Sequence, residues 1–303
     1  MGFMLITVND KVYELHIAYQ KNERLRKSFN HLVEKIFHLS YESWYQAGYW
    51  GDKYIPYTLF DKETALANVS VNIMHFEVLG ELKRYIQICT VMTAEEHRER
   101  GLSRFLMEFV LEQWRDKCDL IYLYADNKAL DIYPKFDFKP AKETMFFKAV
   151  SKTDNFLAYE KLDMDNPSHS KMLYDYVQNT KPFGKLAMQH TAHLAMFYCL
   201  SFLKNDVFYV SDLDAIIVAS FNENQALLWD VFSPITLTST TILAFFNAFE
   251  VDYVQFGFTP RDSSSCSSQE LVSGYTLFIH GEGSSPFVNN NLRFPQGHLM
   301  KKI

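Results

Sequence analysis

The run from Ile86 to Met107, Ile-Gln-Ile-Cys-Thr-Val-Met-Thr-Ala-Glu-Glu-His-Arg-Glu-Arg-Gly-Leu-Ser-Arg-Phe-Leu-Met, reads as a strand, a short basic loop and the start of an apolar-faced helix. That order of parts builds an anion cradle. The first N–H groups of a helix lack intrahelical partners and sit at the positive end of its dipole, so a loop that approaches closely there holds a phosphate. Gly101 permits the approach, and Arg98, Arg100 and Arg104 surround it with positive charge.

Within that run, Arg98-Glu99-Arg100-Gly101-Leu102-Ser103 resembles the pyrophosphate loop of the GNAT-type N-acetyltransferases, usually Gln/Arg-x-x-Gly-x-Gly/Ala. Downstream, the β-rich run Cys118–Ala125 is followed by Asp126-Asn127. Ile132-Tyr-Pro-Lys-Phe-Asp-Phe138 then stands where that family carries a short helix and a Tyr-x-x-x-Gly-Phe signature. The resemblance covers roughly Leu15 to Val150. It implies acetyl-coenzyme A as co-substrate, with its diphosphate on Arg98, Glu99, Arg100, Gly101, Leu102 and Ser103. It further implies that the pantetheine arm pairs like an added strand with Cys89, Thr90, Val91 and Met92, where an N–H can polarise the thioester carbonyl. By the same resemblance Asn127 holds the arm and Tyr133 is the general acid beside the sulfur. On local grounds Asn127 is equally a turn or N-cap residue, and Tyr133 equally a core aromatic. Two positions depart from the pattern. Ser103 stands where Gly or Ala is usual, though its hydroxyl can donate to a phosphate oxygen. Asp137 replaces a glycine, and Asp is among the few residues that accept a left-handed backbone.

At 303 residues the length suggests two domains. Hydrophobic residues are 48% and aromatics 16%, which marks a globular chain rather than a disordered one. A net charge of −6 argues against a nucleic-acid partner held by a general basic surface. Cys89, Cys118, Cys199 and Cys266 show no C-x-x-C pairing and no metal-ligand spacing, so no metal is expected. No basic region precedes the apolar N-terminal patch, and no run of about eighteen apolar residues occurs. The expectation is a cytoplasmic location with no membrane partner.

Lys11–Ala18 reads as a strand and Asn22–His38 as a helix, with Leu25, Phe29, Leu32, Val33 and Ile36 in a stripe at helical spacing. Ala65–Phe76 and Glu81–Met92 read as antiparallel strands turning at Leu79-Gly80, and Gly101–Asp116 as a helix. Phe136–Phe138 and Thr144–Val150 are assigned as the last strands of this unit. Past the polar connector 151–155, strands are expected at Val207–Val210, Asp214–Ser220, Gln225–Phe232 and Asp252–Phe256, with a helix at Leu237–Phe249. That order repeats the first half. Aligning Ile86 with Leu227 and Asp119 with Asp252 gives spacings of 33 and 25 residues, and the missing residues are the basic glycine loop. Ser, Gly and Asn enrich 262–268 and 281–291, which indicates long loops. The expected fold class is therefore α/β (α+β), two tandem GNAT-like domains, each a mixed, mostly antiparallel sheet flanked by helices. Residues 1–152 form the catalytic acetyl-coenzyme A domain, and 156–303 a degenerate copy without its own pyrophosphate loop.

The implied activity is direct transfer of an acetyl group to an amine of a small molecule or peptide. Two other functions fit the same residues: a catalytically silent coenzyme A-binding regulator, and a tandem acyl or aminoacyl transferase. Cys89 has no basic partner in sequence and is read as structural rather than as an acyl-carrying thiol. Glu42, His75 and Glu77 flank the acceptor side, but a carboxylate or imidazole there is more often a solvated surface group, and no general base is assigned. Trp44, Tyr45, Tyr49, Trp50 and Tyr57 either shape the acceptor pocket or pack a loop. His190 and His193 lack a third ligand for a metal.

Overall fold

The computed structural model describes residues 2–153, 156–190, 192–281, 287 and 291–295. Along the chain come β1 (Met4–Val8), β2 (Lys11–Ile17), α1 (Glu23–Phe37), α2 (Glu42–Gln46), β3 (Tyr54–Asp61), β4 (Thr64–Val78), β5 (Glu81–Thr93), α3 (Leu102–Trp114), β6 (Leu120–Asp126), β7 (Phe138–Ala141) and β8 (Thr144–Ala149). The second half continues with β9 (Tyr159–Lys161), α4 (Pro167–Asn179), β10 (Leu186–Gln189), α5 (Ala192–Cys199), β11 (Val207–Val210), β12 (Ala215–Asn222), β13 (Gln225–Phe232), α6 (Ser239–Leu243), β14 (Tyr253–Phe256), β15 (Ser267–Glu270) and β16 (Tyr275–His280).

Local chemistry sets several of these boundaries. The Asn22 side chain accepts from the N–H groups of Arg24 and Leu25 to start α1, and His38 in a left-handed conformation ends it. Leu25, Phe29, Leu32 and Val33 form its buried stripe. Leu79 and Gly80 both take positive φ, which suits the two-residue turn joining β4 to β5.

Among the described residues the chain builds two mixed sheets. The first is ordered β1-β2-β3-β4-β5-β6-β16-β7 with β10 on β4, and the second β15-β8-β14-β13-β12-β11-β9. Each has one parallel pair at its centre, β5 with β6 and β13 with β14, among antiparallel neighbours. The architecture is two tandem GNAT-like sheets flanked by helices.

The halves exchange a strand. β16, from the C-terminal half, lies between β6 and β7 of the first sheet, while β8 lies between β14 and β15 of the second. The stretch Thr144–Val150, assigned from sequence to the first unit, thus supplies β8 to the second sheet. There Phe146 pairs with Phe256 and joins the core of Val254 and Phe246. In return Leu277, Phe278 and Ile279 fill the place it leaves. A third core spans both halves, with Tyr41, Trp44 and Trp50 of the first packed with Leu194, Met196 and Phe197 of the second.

Register confirms the internal repeat and moves it by one position. Ile86 pairs with Ile121, and Ala226 pairs with Val254, so Asp119 matches Asp252 while Ile86 matches Ala226 rather than Leu227. Both aspartates make the same main-chain bond. Asp119 N–H donates to the Arg84 carbonyl at 2.8 Å, and Asp252 N–H to the Asn224 carbonyl at 2.7 Å. The helix expected over 237–249 is broken. It stops after Leu243 and continues as a 3-10 stretch, Ala244–Ala248, in which Phe245 and Phe246 are fully buried. α4, β10 and α5 were not foreseen.

Candidate active site

β5 and β6 pair only at Tyr85–Leu120, Ile86–Ile121 and Gln87–Tyr122; beyond these residues the strands part. Into the mouth of that wedge projects the N-terminus of α3. Glu99 and Gly101 both adopt positive φ in the loop before it, and Gly101 is the N-cap residue, with no side chain closing the helix. The first intrahelical bond is Phe105 N–H to the Gly101 carbonyl, which leaves the N–H groups of the first turn without helical partners. A cavity of about 500 Å³ opens there, lined by Val91, Met92, Arg98, Ser103, Arg104 and Tyr133 among others.

The loop is held from behind by the turn between β1 and β2. The Asn9 Nδ2 amide donates to the Arg100 carbonyl at 3.0 Å. A Cβ on Gly101 would stand 3.3 Å from that amide nitrogen and would require a φ of +77°. The positive φ favours glycine here, and a side chain would in addition have to displace the Asn9 amide by a few tenths of an ångström.

The structure brings some of the expected site residues together and leaves others apart. Val91, Met92, Arg98, Ser103 and Tyr133 share the cavity. Leu102 turns into the core beneath the helix, and Glu99 is exposed. Arg100 is also exposed, with its guanidinium on the Glu96 carbonyl at 2.8 Å. Asn127 is exposed in the turn after β6 and is not among the residues lining the cavity. Cys89 and Thr90 point their side chains away into a buried layer, and burial pushes the Cys89 thiol up to about 12. Such a thiol is a poor nucleophile at neutral pH.

Tyr133 opens the 3-10 turn Tyr133–Phe136, which ends with Asp137 at φ 61°, the left-handed role expected of the residue replacing glycine. Its ring packs on Phe138 and Phe278, so the exchanged strand β16 helps hold it. Burial, with Asp126 nearby, pushes its hydroxyl up to about 12.

Most of the aromatic segment is packing rather than a pocket wall. Trp44, Trp50 and Tyr57 are at most 5% exposed. Trp44 Nε1 donates to the His193 carbonyl of the second half at 2.8 Å, and Tyr45 lies under the Arg26 guanidinium. Tyr49 instead lines a separate hollow of about 190 Å³ with Tyr174. Of the flanking carboxylates, Glu42 pairs with buried Arg26 and Glu77 with Arg261. His190 lies outside α5 and His193 within it, so the two are not a helical i, i+3 pair. Among the described residues no three His, Cys, Asp or Glu side chains gather as a metal site.

The second wedge, between β13 and β14, is built differently. Chain segment 180–185 bridges it. Lys181 N–H donates to the Ser233 carbonyl, Lys185 N–H to the Thr259 carbonyl, and Arg261 N–H to the Phe183 carbonyl. The hollow left beside this segment is about 30 Å³. The short helix that follows β13 is also closed, because the Thr238 side chain accepts from Thr241 N–H.

A mixed sheet split between two parallel strands, with an uncapped helix start at the split, is the fold of the GCN5-related acyltransferases. The acetyltransferase (GNAT) domain family matches residues 19–141, so the first half of the chain carries a GNAT domain. Three solved structures share the fold over nearly the whole chain. One is a conserved protein of unknown function from Enterococcus faecalis V583, described as a probable N-acyltransferase (12% identity, 89% of this chain and 72% of that one, TM-score 0.55). The second is a GCN5-related N-acetyltransferase from Kribbella flavida (13%, 88% and 71%, TM-score 0.53). The third is Eis1 from Mycobacterium abscessus (11%, 91% and 73%, TM-score 0.52). At these identities the likeness is one of fold. Curated protein sequences yield no match.

Asn9, Ile36 and Met107 join the site without having been singled out from sequence. Met107 follows Ser103 by one helical turn and was legible in principle. Asn9 lies 91 residues from the carbonyl it grips, and the turn it occupies with Asp10 is seen only in the structure, where both take positive φ.

Proposed function

We propose that the first half binds acetyl-coenzyme A in the wedge between β5 and β6 and transfers the acetyl group to an amine by direct attack. The observation that carries this reading is the uncapped start of α3 at the mouth of a 500 Å³ cavity, between parted strands. The diphosphate rests on the open N–H groups of the first turn, with Arg98 and Arg104 beside it. The pantetheine arm follows the main chain of Val91 and Met92. Glycine at position 101 leaves the room such an approach requires.

The amine nitrogen bonds to the thioester carbon, the C–S bond breaks, the nitrogen loses a proton and the sulfur gains one. Tyr133 is the proposed donor to the sulfur. With its pKa near 12 it is protonated across the physiological range, so it acts by holding a hydrogen bond to the thiolate as charge develops. The phenol proton then passes to the leaving sulfur, and the proton released by the amine to solvent restores the phenol.

The second half takes no coenzyme in this reading, since segment 180–185 spans the corresponding wedge. A panel of small amines and peptide N-termini, each incubated with acetyl-coenzyme A and followed by thiol release and product mass, tests the activity. Acetylated product with equimolar thiol supports the reading. Tight coenzyme binding with no turnover across the panel would instead favour a coenzyme A-responsive regulator.

A further inference from the structure

Between Asn68 and Ser70 the pairing of β4 with β5 slips: Asn68 faces Met92 and Ser70 faces Cys89, so Val69 opposes both Thr90 and Val91. Two residues against one is a β-bulge, which bends the strand and takes the extra residue out of the ladder. The bulge lies in the wall of the coenzyme wedge. Thr90 takes φ +49° there, a left-handed conformation that a β-branched residue adopts only when its surroundings impose it.

Those surroundings are a buried polar cluster. The Thr90 carbonyl accepts from Asn68 Nδ2 at 2.8 Å. The Thr90 hydroxyl meets the hydroxyls of Tyr54 at 2.8 Å and Tyr41 at 3.1 Å. All four residues are fully buried. Asn68 is itself fixed: its Oδ1 accepts from the Thr58 hydroxyl at 2.6 Å, and its Nδ2 also donates to Ser70 at 2.8 Å. Tyr41 is anchored through its main-chain N–H to Asn30 Oδ1 at 3.1 Å. Polar groups in such a core are costly unless each finds a partner. Here they converge on one residue, whose neighbours Val91 and Met92 face the cavity.

We propose that Asn68, Tyr41 and Tyr54 are positioning residues for acyl transfer. By gripping the Thr90 carbonyl and hydroxyl they hold the left-handed bulge, and thereby fix where the main chain of Val91 and Met92 meets the thioester. The proposal rests on the acetyl-coenzyme A reading of the first wedge. None of the three side chains touches the coenzyme.

The test is infrared difference spectroscopy of acetyl-coenzyme A labelled with carbon-13 at the thioester carbonyl, alongside calorimetry on the full chain. In the wild type the carbonyl band moves to lower frequency on binding, because a fixed main-chain donor polarises it. In Asn68→Ala and in the double change Tyr41→Phe with Tyr54→Phe, coenzyme affinity stays within about tenfold while the band returns toward its free position. A wild-type band position in variants that remain folded and loaded overturns the proposal. Should Asn68→Ala fail to fold, Tyr54→Phe alone, which removes a single hydroxyl, carries the same test. A wild type that binds no acetyl-coenzyme A defeats the underlying reading instead, and calorimetry separates that case from failure of the bulge.

Discussion

Asn9 and Arg100, 91 residues apart in sequence, are joined by a 3.0 Å hydrogen bond from the Asn9 amide to the Arg100 carbonyl. The bond ties the first hairpin of the chain to the loop that starts α3. Asn9 itself sits at φ 47°, so replacement by glycine keeps the backbone turn and removes only the amide.

The first prediction follows from that tie. Asn9→Gly frees the loop before Gly101 and weakens acetyl-coenzyme A binding by about three- to tenfold, the range of one net hydrogen bond. Calorimetry at fixed ionic strength measures it. An unchanged dissociation constant would show that the hairpin does not support the loop.

Tyr133→Phe keeps the ring against Phe138 and Phe278 and removes only the hydroxyl. Coenzyme affinity is expected to stay nearly constant, while kcat falls by about 10²–10⁴-fold. The assay uses whichever amine the panel identifies, under conditions where chemistry limits turnover. Full activity in the variant would remove Tyr133 from the mechanism, and lost coenzyme binding would assign it to packing.

The strand exchange makes the halves mutually dependent. A fragment of residues 1–152 lacks β16, leaves β6 and β7 without the strand between them, and carries β8 with no sheet to enter. Alone it should show no cooperative thermal transition, whereas co-expressed 1–152 and 153–303 should copurify, each supplying the other's missing strand. A fragment 1–152 that melts cooperatively as a monomer would contradict the exchange.

Alkaline stability gives an independent check on the buried hydroxyl layer. Tyr19, Tyr41, Tyr54 and Tyr122 are at most 1% exposed, and burial raises the pKa of each well above its ordinary value. Below the unfolded value of about 10 both states are protonated and the stability is fully present. Above it only the unfolded chain ionises, so stability falls by about 1.4 kcal/mol per pH unit for each such tyrosine. Urea midpoints measured from pH 9 to 11 should fall steeply. A flat profile would mean that these hydroxyls reach solvent in the native state.

What could be read from sequence was local. The Leu79-Gly80 turn and the stripe of α1 each act within a few residues, and both appear as expected. The loop 98–103 was legible because its glycine and the helix behind it adjoin in sequence. Partners distant in the chain were not. Nothing in Thr144–Ala149 says whether Phe146 pairs with Phe256 or turns back on its own half, since short strands of like pattern suit either sheet. Nor does Lys181–Lys185 look like a segment that spans a wedge, because its bonds are main-chain bonds and carry no side-chain signature. Trp44 and Trp50 illustrate the same limit: an aromatic-rich stretch reads alike whether it lines a pocket or packs against a second half.

The central claim is that one wedge of the two holds coenzyme, on the loop led by Gly101. Calorimetric titration of the full chain with acetyl-coenzyme A tests it most directly, in the wild type and in Gly101→Val. The account predicts one coenzyme per chain and loss of binding in a variant that stays folded, since a side chain there meets Asn9 and cannot sit easily at φ +77°. A stoichiometry of two, or unchanged affinity in folded Gly101→Val, would contradict it.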